Sequence, residues 1–489
     1  MTDGKKKQLI IAFDIDDTIA RFGHQLVAFA QVFDKQRSVH KKGFVDHYKY
    51  ISQGMFGWSK EESDTFHEDA IGFVIPDLRP INNALQLIRL LKKDGHKIYF
   101  VSARTFDKLS TKAQTLTWLK EHDVPYDKLV LGKNVKGPTL KKLNVDIFID
   151  DRADHCVSAE ENGVFAIQKP AYRWNERFHR AIDSWEEVYD IIRKKAGTKV
   201  LIERYPIIFD TDMTNEIDDE LALPYLLTFD KAKIEAITVA LHYGIRIPDV
   251  DIEKDVERSF EKTKQLVSMC KPKLLKKIYR GQTQLLGYGK QETSEAVKKI
   301  IEICRKHEKV IFISIGAPVN LAYALTIAPD IADKIKLFSL MGVLMPNGIG
   351  PETNMSTNLV ATRKVFKCIK DKTIFPICTG QNLVITKEDL QKRAKKSSLF
   401  KVLAKDFEAT NKRFGGNIKY KSMFDVVVPF YLSRPVIFDQ MKCHAKMNNT
   451  HIVFKGKDKA TIIYQVDQNI VLQDFYERMK RYEDKDNRK

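Results

Sequence analysis

Two short stretches of this 489-residue chain hold more acid than a fold tolerates without a counter-charge. Between Asp210 and Glu220 lie six acidic residues, namely Asp210, Asp212, Glu216, Asp218, Asp219 and Glu220, directly after the apolar run Pro206 to Phe209. Asp14, Asp16 and Asp17 follow the apolar run Leu9 to Phe13 in the same way. Carboxylates this close repel one another unless a cation sits among them, and hard divalent ions suit all-oxygen sites. Ca²⁺ fits the second stretch, because it accepts about six to eight oxygen ligands in irregular geometry. At the first stretch, later strand ends add Ser102, Lys136 and the pair Asp150 and Asp151. A carboxylate nucleophile, a second carboxylate two residues on, a hydroxyl, a lysine and a further acidic pair are what phosphoryl transfer through an aspartyl phosphate requires, with Mg²⁺ offsetting the charge. Lys141 and Lys142 also precede the last of these strands and compete with Lys136 for the lysine role.

Such groups need a scaffold that delivers strand ends to one edge. Apolar runs alternate with helical patterns in both halves of the chain, which predicts an α/β fold with parallel sheets and helices on both faces. In the first half "LIIAFDI", "KIYFVSA", "KLVLG" and "VDIFIDD" read as strands, and "INNALQLIRLLKKDG" as a helix ended by Gly95. Residues from about 20 to 80 break the alternation with helical, aromatic-rich sequence, as expected of an insertion between the first strand and its crossover. The rhythm restarts at "YPIIFDTD" and continues through "IEAITVAL", "KVIFISIG", "IKLFSLMG" and "TIFPICTG", closing with "THIVFKG", "ATIIYQV" and a helix. A charged, glycine-bearing stretch near residue 197 marks the expected boundary, giving domains 1–196 and 197–489.

Hydrophobic residues make up 43% and aromatics 10%, which suits globular domains and excludes a disordered chain. No apolar run reaches the ~18 residues a membrane span needs. Six scattered cysteines without a CxxC pair point to reduced thiols, hence a cytoplasmic setting. The formal net charge of +18 attracts anions such as nucleotides, but the basic residues are spread along the chain and form no nucleic-acid-binding motif.

The first half resembles the haloacid dehalogenase-like phosphatases, on "DIDDT", Ser102, Lys136 and the Asp150–Asp151 pair in that order. The resemblance implies a Rossmann-like domain with a helical cap placed as in the 5′-nucleotidase branch. It implies Asp14 as nucleophile, Asp16 as general acid and then base, and Thr18, Ser102 and Lys136 as phosphate-binding groups. It places Mg²⁺ on Asp14, the Asp16 carbonyl and Asp150.

The second half resembles the inosine-uridine nucleoside hydrolases from "DTDMTNEIDDELAL" through "YRGQTQLL", "SIGAPVNLAYAL", "PETNMSTNLVATRKVF" and "SMFDVVVPFYL". The resemblance implies an α/β domain with a mostly parallel sheet. It implies Ca²⁺ held by Asp212, Asp219, the Val319 carbonyl and Asp425, with Asp212 also activating the attacking water. Asp218, Glu352 and Asn354 are implied to hold the ribose hydroxyls. Many members have histidine just before the last metal-binding aspartate, as proton donor to the departing base; this chain has Phe424. His242 or Tyr243, in a strand-end "ALHYG", is the candidate substitute.

Together these features predict a bifunctional hydrolase of nucleotide breakdown or salvage. It takes phosphate from a nucleotide and cleaves the N-glycosidic bond of a nucleoside, with nucleotide and nucleoside as small-molecule partners and homo-oligomerisation left open. The rival is a nucleic-acid-end phosphatase fused to a non-catalytic nucleoside-binding module.

Overall fold

The structure, a computed structural model, describes residues 7–36, 43–46, 49, 51, 54–104, 109–171, 176–214, 216–242, 251–288, 292–340, 342–344, 352–413, 415–449, 451–454 and 456–483. The chain divides into two compact units, residues 1–199 and 200–489.

In the first unit the order is β1 (Ile10–Phe13), α1 (Phe22–Gln36), α2 (Lys60–Val74), α3 (Asn82–Lys93), β2 (Lys97–Val101), α4 (Leu109–Glu121), β3 (Lys128–Val130), α5 (Gly137–Lys142), β4 (Ile147–Asp150), α6 (Ala153–Glu161), β5 (Phe165–Gln168) and α7 (Trp185–Ala196). Five parallel strands lie in the order β3-β2-β1-β4-β5. The two central strands are apolar along their length because both faces are covered, as parallel sheets require. α3 turns its apolar face inward, burying Leu85, Ile88 and Leu91. It ends where Gly95 adopts φ +88°, a left-handed conformation that costs glycine little. α1 and α2 fall in the inserted segment between β1 and α3. Ser184 caps α7 by accepting from the Glu187 amide at 3.2 Å, and Gly197 closes it at φ +67°.

The second unit comprises α8 (Leu201–Arg204), β6 (Pro206–Thr211), α9 (Ile217–Leu227), β7 (Lys233–Val239), α10 (Ile252–Cys270), β8 (Ile278–Tyr279), α11 (Glu295–Lys306), β9 (Val310–Ser314), α12 (Val319–Ile327), β10 (Ile335–Leu340), β11 (Val343–Leu344), α13 (Thr353–Thr357), α14 (Leu359–Cys368) and β12 (Asp371–Phe375). It continues with β13 (Val384–Thr386), α15 (Lys387–Ala394), α16 (Ser398–Arg413), β14 (Tyr420–Ser422), α17 (Val427–Ser433), β15 (Phe438–Asn448), β16 (His451–Phe454), β17 (Asp458–Val466) and α18 (Gln468–Met479). Ten strands form one sheet in the order β11-β16-β15-β17-β12-β10-β9-β6-β7-β8, and β13 pairs with β14 in a small antiparallel ribbon. The large sheet is parallel except at β15, which runs antiparallel to both neighbours. β15 was not among the expected strands. Its sequence, FDQMKCHAKMN, sets Lys442, His444 and Lys446 toward solvent and buries little besides Phe438 and Ala445, so no apolar run announces it.

Candidate active sites

Both acidic stretches lie where a parallel strand ends and the chain turns toward a helix. β1 stops at Phe13, and the Asp14 amide donates to the Ile149 carbonyl at 2.9 Å, fixing Asp14 beside the end of β4. Asp17 then takes φ +53° and its carboxylate accepts from the Gly23 amide at 2.8 Å, which turns the chain into α1.

Asp14, Asp150 and Asp151 present carboxylate oxygens within 4.8 Å of one another. Lys136, completely buried, reaches Asp14 Oδ1 at 2.8 Å and Asp150 Oδ2 at 2.6 Å. Lys141 and Lys142 are exposed, so burial singles out Lys136. Burial opposes the Lys136 charge, but Asp14 and Asp150 outweigh it and hold the lysine's pKa above its usual range. Burial likewise acts to raise Asp150, yet Lys136 and His155 pull it well below the ordinary carboxylate range. Asp14 goes the other way: burial, resisted by Lys136 and reinforced by Asp150 and Asp16, lifts it to about 6. Asp151 is also raised, by burial and by Asp150 and Asp17.

Ser102 and Thr18 are buried nearby, and Thr18 Oγ1 has no hydrogen-bond partner among the described residues. Arg104 was missed in the sequence. Its Nε donates to Asp16 Oδ2 at 3.0 Å and its Nη2 to Asp16 Oδ1 at 2.6 Å, while Nη1 is anchored on Thr115 Oγ1 at 2.9 Å. His155 was missed too; its Nδ1 lies 3.0 Å from Asp150 Oδ2. Nothing about one arginine after a strand or one histidine in a helix distinguishes it before the fold brings it to the carboxylates. A cavity of about 290 Å³ opens over the site, with Asp14, Asp16, Ser102 and Asp151 on the sheet side and Phe22, Leu26 and Met55 on the insertion side.

In the second unit β6 ends at Thr211, Asp212 follows, and Asp218 and Asp219 enter the first turn of α9, where the helix's positive end favours acids. Asp425 comes from a tight helical turn, Phe424–Val426, just ahead of α17. Asp218, Asp219 and Asp425 place carboxylate oxygens within 4.8 Å of one another. Asp212 stands outside that triad but adjoins it: its amide donates to Asp219 Oδ1 at 3.2 Å. The Thr211 hydroxyl donates to the same Asp219 oxygen. A side chain at Gly316 would meet Asp212 Oδ1 at 2.9 Å, so glycine is what lets the loop after β9 approach this acid.

Burial raises Asp212, Asp218, Asp219 and Asp425 well above the ordinary carboxylate range, and their mutual repulsion adds to it. Asp425 Oδ1 has no hydrogen-bond partner among the described residues. Beneath them Asp210 accepts from Thr238 Oγ1 at 2.6 Å and Asn320 Nδ2 at 2.8 Å, and burial lifts it to about 7. Asn320, the other residue the sequence did not flag, also donates to the Val239 carbonyl and accepts from the Gln282 amide, so it ties β6, the end of β7 and the segment at Gln282 together under the acids.

Val319, buried, is the first residue of α12. Glu352 accepts from the amides of Gly342, Asn354 and Met355 at 3.1, 2.7 and 2.9 Å, which makes it the cap of α13. Asn354 Nδ2 donates to the Ile315 carbonyl at 2.5 Å. Both side chains therefore already hold backbone. His242 is buried with Nδ1 3.2 Å from Asp212 Oδ2, and burial lowers its pKa against the pull of Asp255 and Asp219. Tyr243 lies outside the described residues.

All donors in both clusters are hard oxygens, and partnerless buried oxygens point into or beside each cluster. That donor set fits a hard divalent cation. No helix among the described residues is long and apolar enough to cross a membrane.

Residues 207–473 match the family model described as inosine-uridine preferring nucleoside hydrolase. Residues 8–197 match the one described as 5′ nucleotidase, deoxy (pyrimidine), cytosolic type C protein. A nucleotidase of Clostridium acetobutylicum is 26% identical over 194 residues, covering 38% of this chain and 94% of its own. Among solved structures, a purine-preferring ribonucleoside hydrolase from Gardnerella vaginalis is 18% identical, aligned over 57% of this chain and 98% of its own with a TM-score of 0.47. An inosine-uridine preferring nucleoside hydrolase from Bacillus anthracis is 15% identical over 56% of this chain and 99% of its own, with a TM-score of 0.42.

Proposed function

The chain belongs to the inosine-uridine preferring nucleoside hydrolase family and carries a cytosolic-type 5′-nucleotidase domain ahead of it, and from this premise we propose how its own residues divide two hydrolyses between them. Both families are metal-dependent hydrolases, and each matched region contains a cluster of three buried carboxylates. This pairing disfavours the rival of a nucleic-acid-end phosphatase joined to a non-catalytic module.

The assignment is residues 1–196 as phosphatase, with residues of about 20–80 as its cap, and 197–489 as nucleoside hydrolase. In the first, Asp14 is the nucleophile, and Lys136 at 2.8 Å supports its ionised form although burial opposes it. Asp16 gives a proton to the departing oxygen and later takes one from water. Thr18, Ser102 and Lys136 hold the phosphate; the partnerless Thr18 hydroxyl supports that role. Asp14, Asp150 and the Asp16 carbonyl would hold Mg²⁺, which when bound neutralises charge on the transferring phosphate.

In the second domain, Asp212, Asp219, Asp425 and the Val319 carbonyl would hold Ca²⁺, which when bound grips the ribose diol and favours ionisation of the attacking water. Asp212 takes the proton of that water. Asp218 binds a ribose hydroxyl, and Glu352 and Asn354 shape the sugar pocket through the backbone they fix as much as by direct contact. The bond to the base breaks through an oxocarbenium-like state, as in glycoside hydrolysis. His242 or Tyr243 protonates the departing base in place of the histidine absent at Phe424. The chain acts in the cytoplasm on free nucleotides and nucleosides.

The observation that carries this reading is the pair of carboxylate clusters, each at the carboxyl edge of a parallel sheet, where α/β proteins bind ligands. The test is a screen of nucleotides and nucleosides with phosphate and free base scored separately. Phosphate from a mononucleotide and base from a nucleoside are expected. Phosphate release that survives complete chelation overturns the phosphatase assignment, and binding of ribosides without release of reducing sugar overturns the hydrolase assignment.

A further inference from the structure

A second cavity in the nucleoside hydrolase unit lies away from the acids. It encloses about 320 Å³ and is lined by Lys370, Lys372, Lys442, His444 and Lys459, with Asp371 the one acid on its wall. Asp371 and Lys372 begin β12, with Lys370 just before them, whereas the acidic cluster follows the last residue of β6 in the same mostly parallel sheet, so the two places sit at opposite sheet edges.

The strand register explains the charge. Lys442 on β15 faces Thr461 on β17, and His444 faces Lys459. Side chains two apart on a strand share a face, so Lys442, His444 and Lys459 crowd one side of the ribbon. Lys459 is diagonal to Lys442 across the ladder, so two lysines lie near each other on that face. Asp371 is engaged by Lys336, and Lys370 is paired with the exposed Asp333 at 3.0 Å. Among the described residues no carboxylate lies within ion-pair distance of Lys442 or Lys459. Lys372 is buried on the wall, its Nζ donating to the Ile369 carbonyl at 2.9 Å and lying 4.6 Å from the centre of the Phe366 ring. No Phe, Tyr or Trp lines the cavity, so nothing there would stack on a base.

We propose that this cavity binds a small anion carrying two or more phosphate charges, held by Lys442 and Lys459 around a chain of phosphate groups rather than by any recognition of a base. The volume matches a compact ligand, at the lower end of the range of small-molecule sites, and this site is independent of the catalytic assignments above.

Inorganic pyrophosphate is the probe, titrated calorimetrically into full-length protein stripped of divalent ions, so that neither acidic cluster offers a metal-bridged phosphate site. One site per chain is expected, weakening as salt is raised. The exposed double variant Lys442→Glu/Lys459→Glu should weaken binding at least tenfold while leaving phosphate and base release unchanged when metals are restored. Lys442→Gln/Lys459→Gln should give an intermediate loss, and serves if the charge-reversed protein fails to fold. Equal binding by wild type and the Gln variant, or no binding at millimolar pyrophosphate, overturns the proposal. So does variant-sensitive binding of a single-stranded oligonucleotide that pyrophosphate does not displace, because the patch would then serve a nucleic-acid backbone.

Discussion

The two acidic clusters solve the same electrostatic problem differently. In the phosphatase unit the chain supplies its own cation: Lys136 bridges Asp14 and Asp150, and the acids separate into one pushed down and others pushed up. In the nucleoside hydrolase unit burial outweighs the pull of Lys421 on Asp218, and Asp218, Asp219 and Asp425, with Asp212, all rise together. A buried carboxylate escapes its desolvation by pairing, by protonation or by a bound ion. With burial and mutual repulsion prevailing, the second cluster depends on protons or metal for its charge state. The first needs metal chiefly for chemistry.

The largest effects should come from separating the sites. Asp14→Asn should lower phosphate release roughly 10³-fold or more and leave base release from a nucleoside intact. Asp212→Ala should do the reverse. Assaying both products from both variants checks this, and base freed from a nucleotide by Asp14→Asn at the wild-type rate would mean that the second site accepts nucleotides directly.

Removing the internal cation sharpens the contrast next. Lys136→Met strips Asp14 of its cation and leaves Asp150 only His155, and losing one partner of a buried ion pair costs about 3–5 kcal/mol. Chemical denaturation should register that loss in the phosphatase unit together with the collapse of phosphate release. A loss under about 1 kcal/mol would show that the lysine does not carry the charge balance.

Smaller, at roughly 10²-fold, is the expected drop in base release on His242→Ala for bases that need protonation to depart. Tyr243→Phe tests the alternative donor. If neither variant slows any hydrolysed nucleoside, Phe424 marks a reaction that uses no side-chain acid.

The mildest test is of stability against pH. Asp212, Asp218, Asp219 and Asp425 have folded pKa values above their unfolded ones, so their contribution is present at low pH and lost as pH rises through the raised values. The metal-free protein should therefore melt at falling temperature as pH rises above the ordinary carboxylate range, and Ca²⁺ should flatten that slope. Asp150, held low, works oppositely: its contribution is present above the ordinary carboxylate range and is lost only on strong acidification. Calorimetric scans with and without Ca²⁺ across this range decide it; a slope unchanged by Ca²⁺ would remove the metal from the second cluster.

Much was legible before folding. Both-face burial in a parallel sheet demands unbroken apolar runs, so β1, β4, β6 and β9 and the acids that end β1, β4 and β6 could be read directly from the chain. The helix end at Gly95 was legible because a left-handed turn selects glycine. The half-exposed β15 was not, since solvent on one face frees its sequence to be polar. What only tertiary structure decided is which lone polar residues matter. Arg104 on Asp16, His155 on Asp150 and Asn320 under Asp210 are brought together by the fold and not by any local pattern. Tertiary structure also decided that Lys136, and neither Lys141 nor Lys142, enters the acids, because burial and charge pairing are properties of a place in the fold, whereas spacing along the chain fixes only which residues can share a strand end or a helix face.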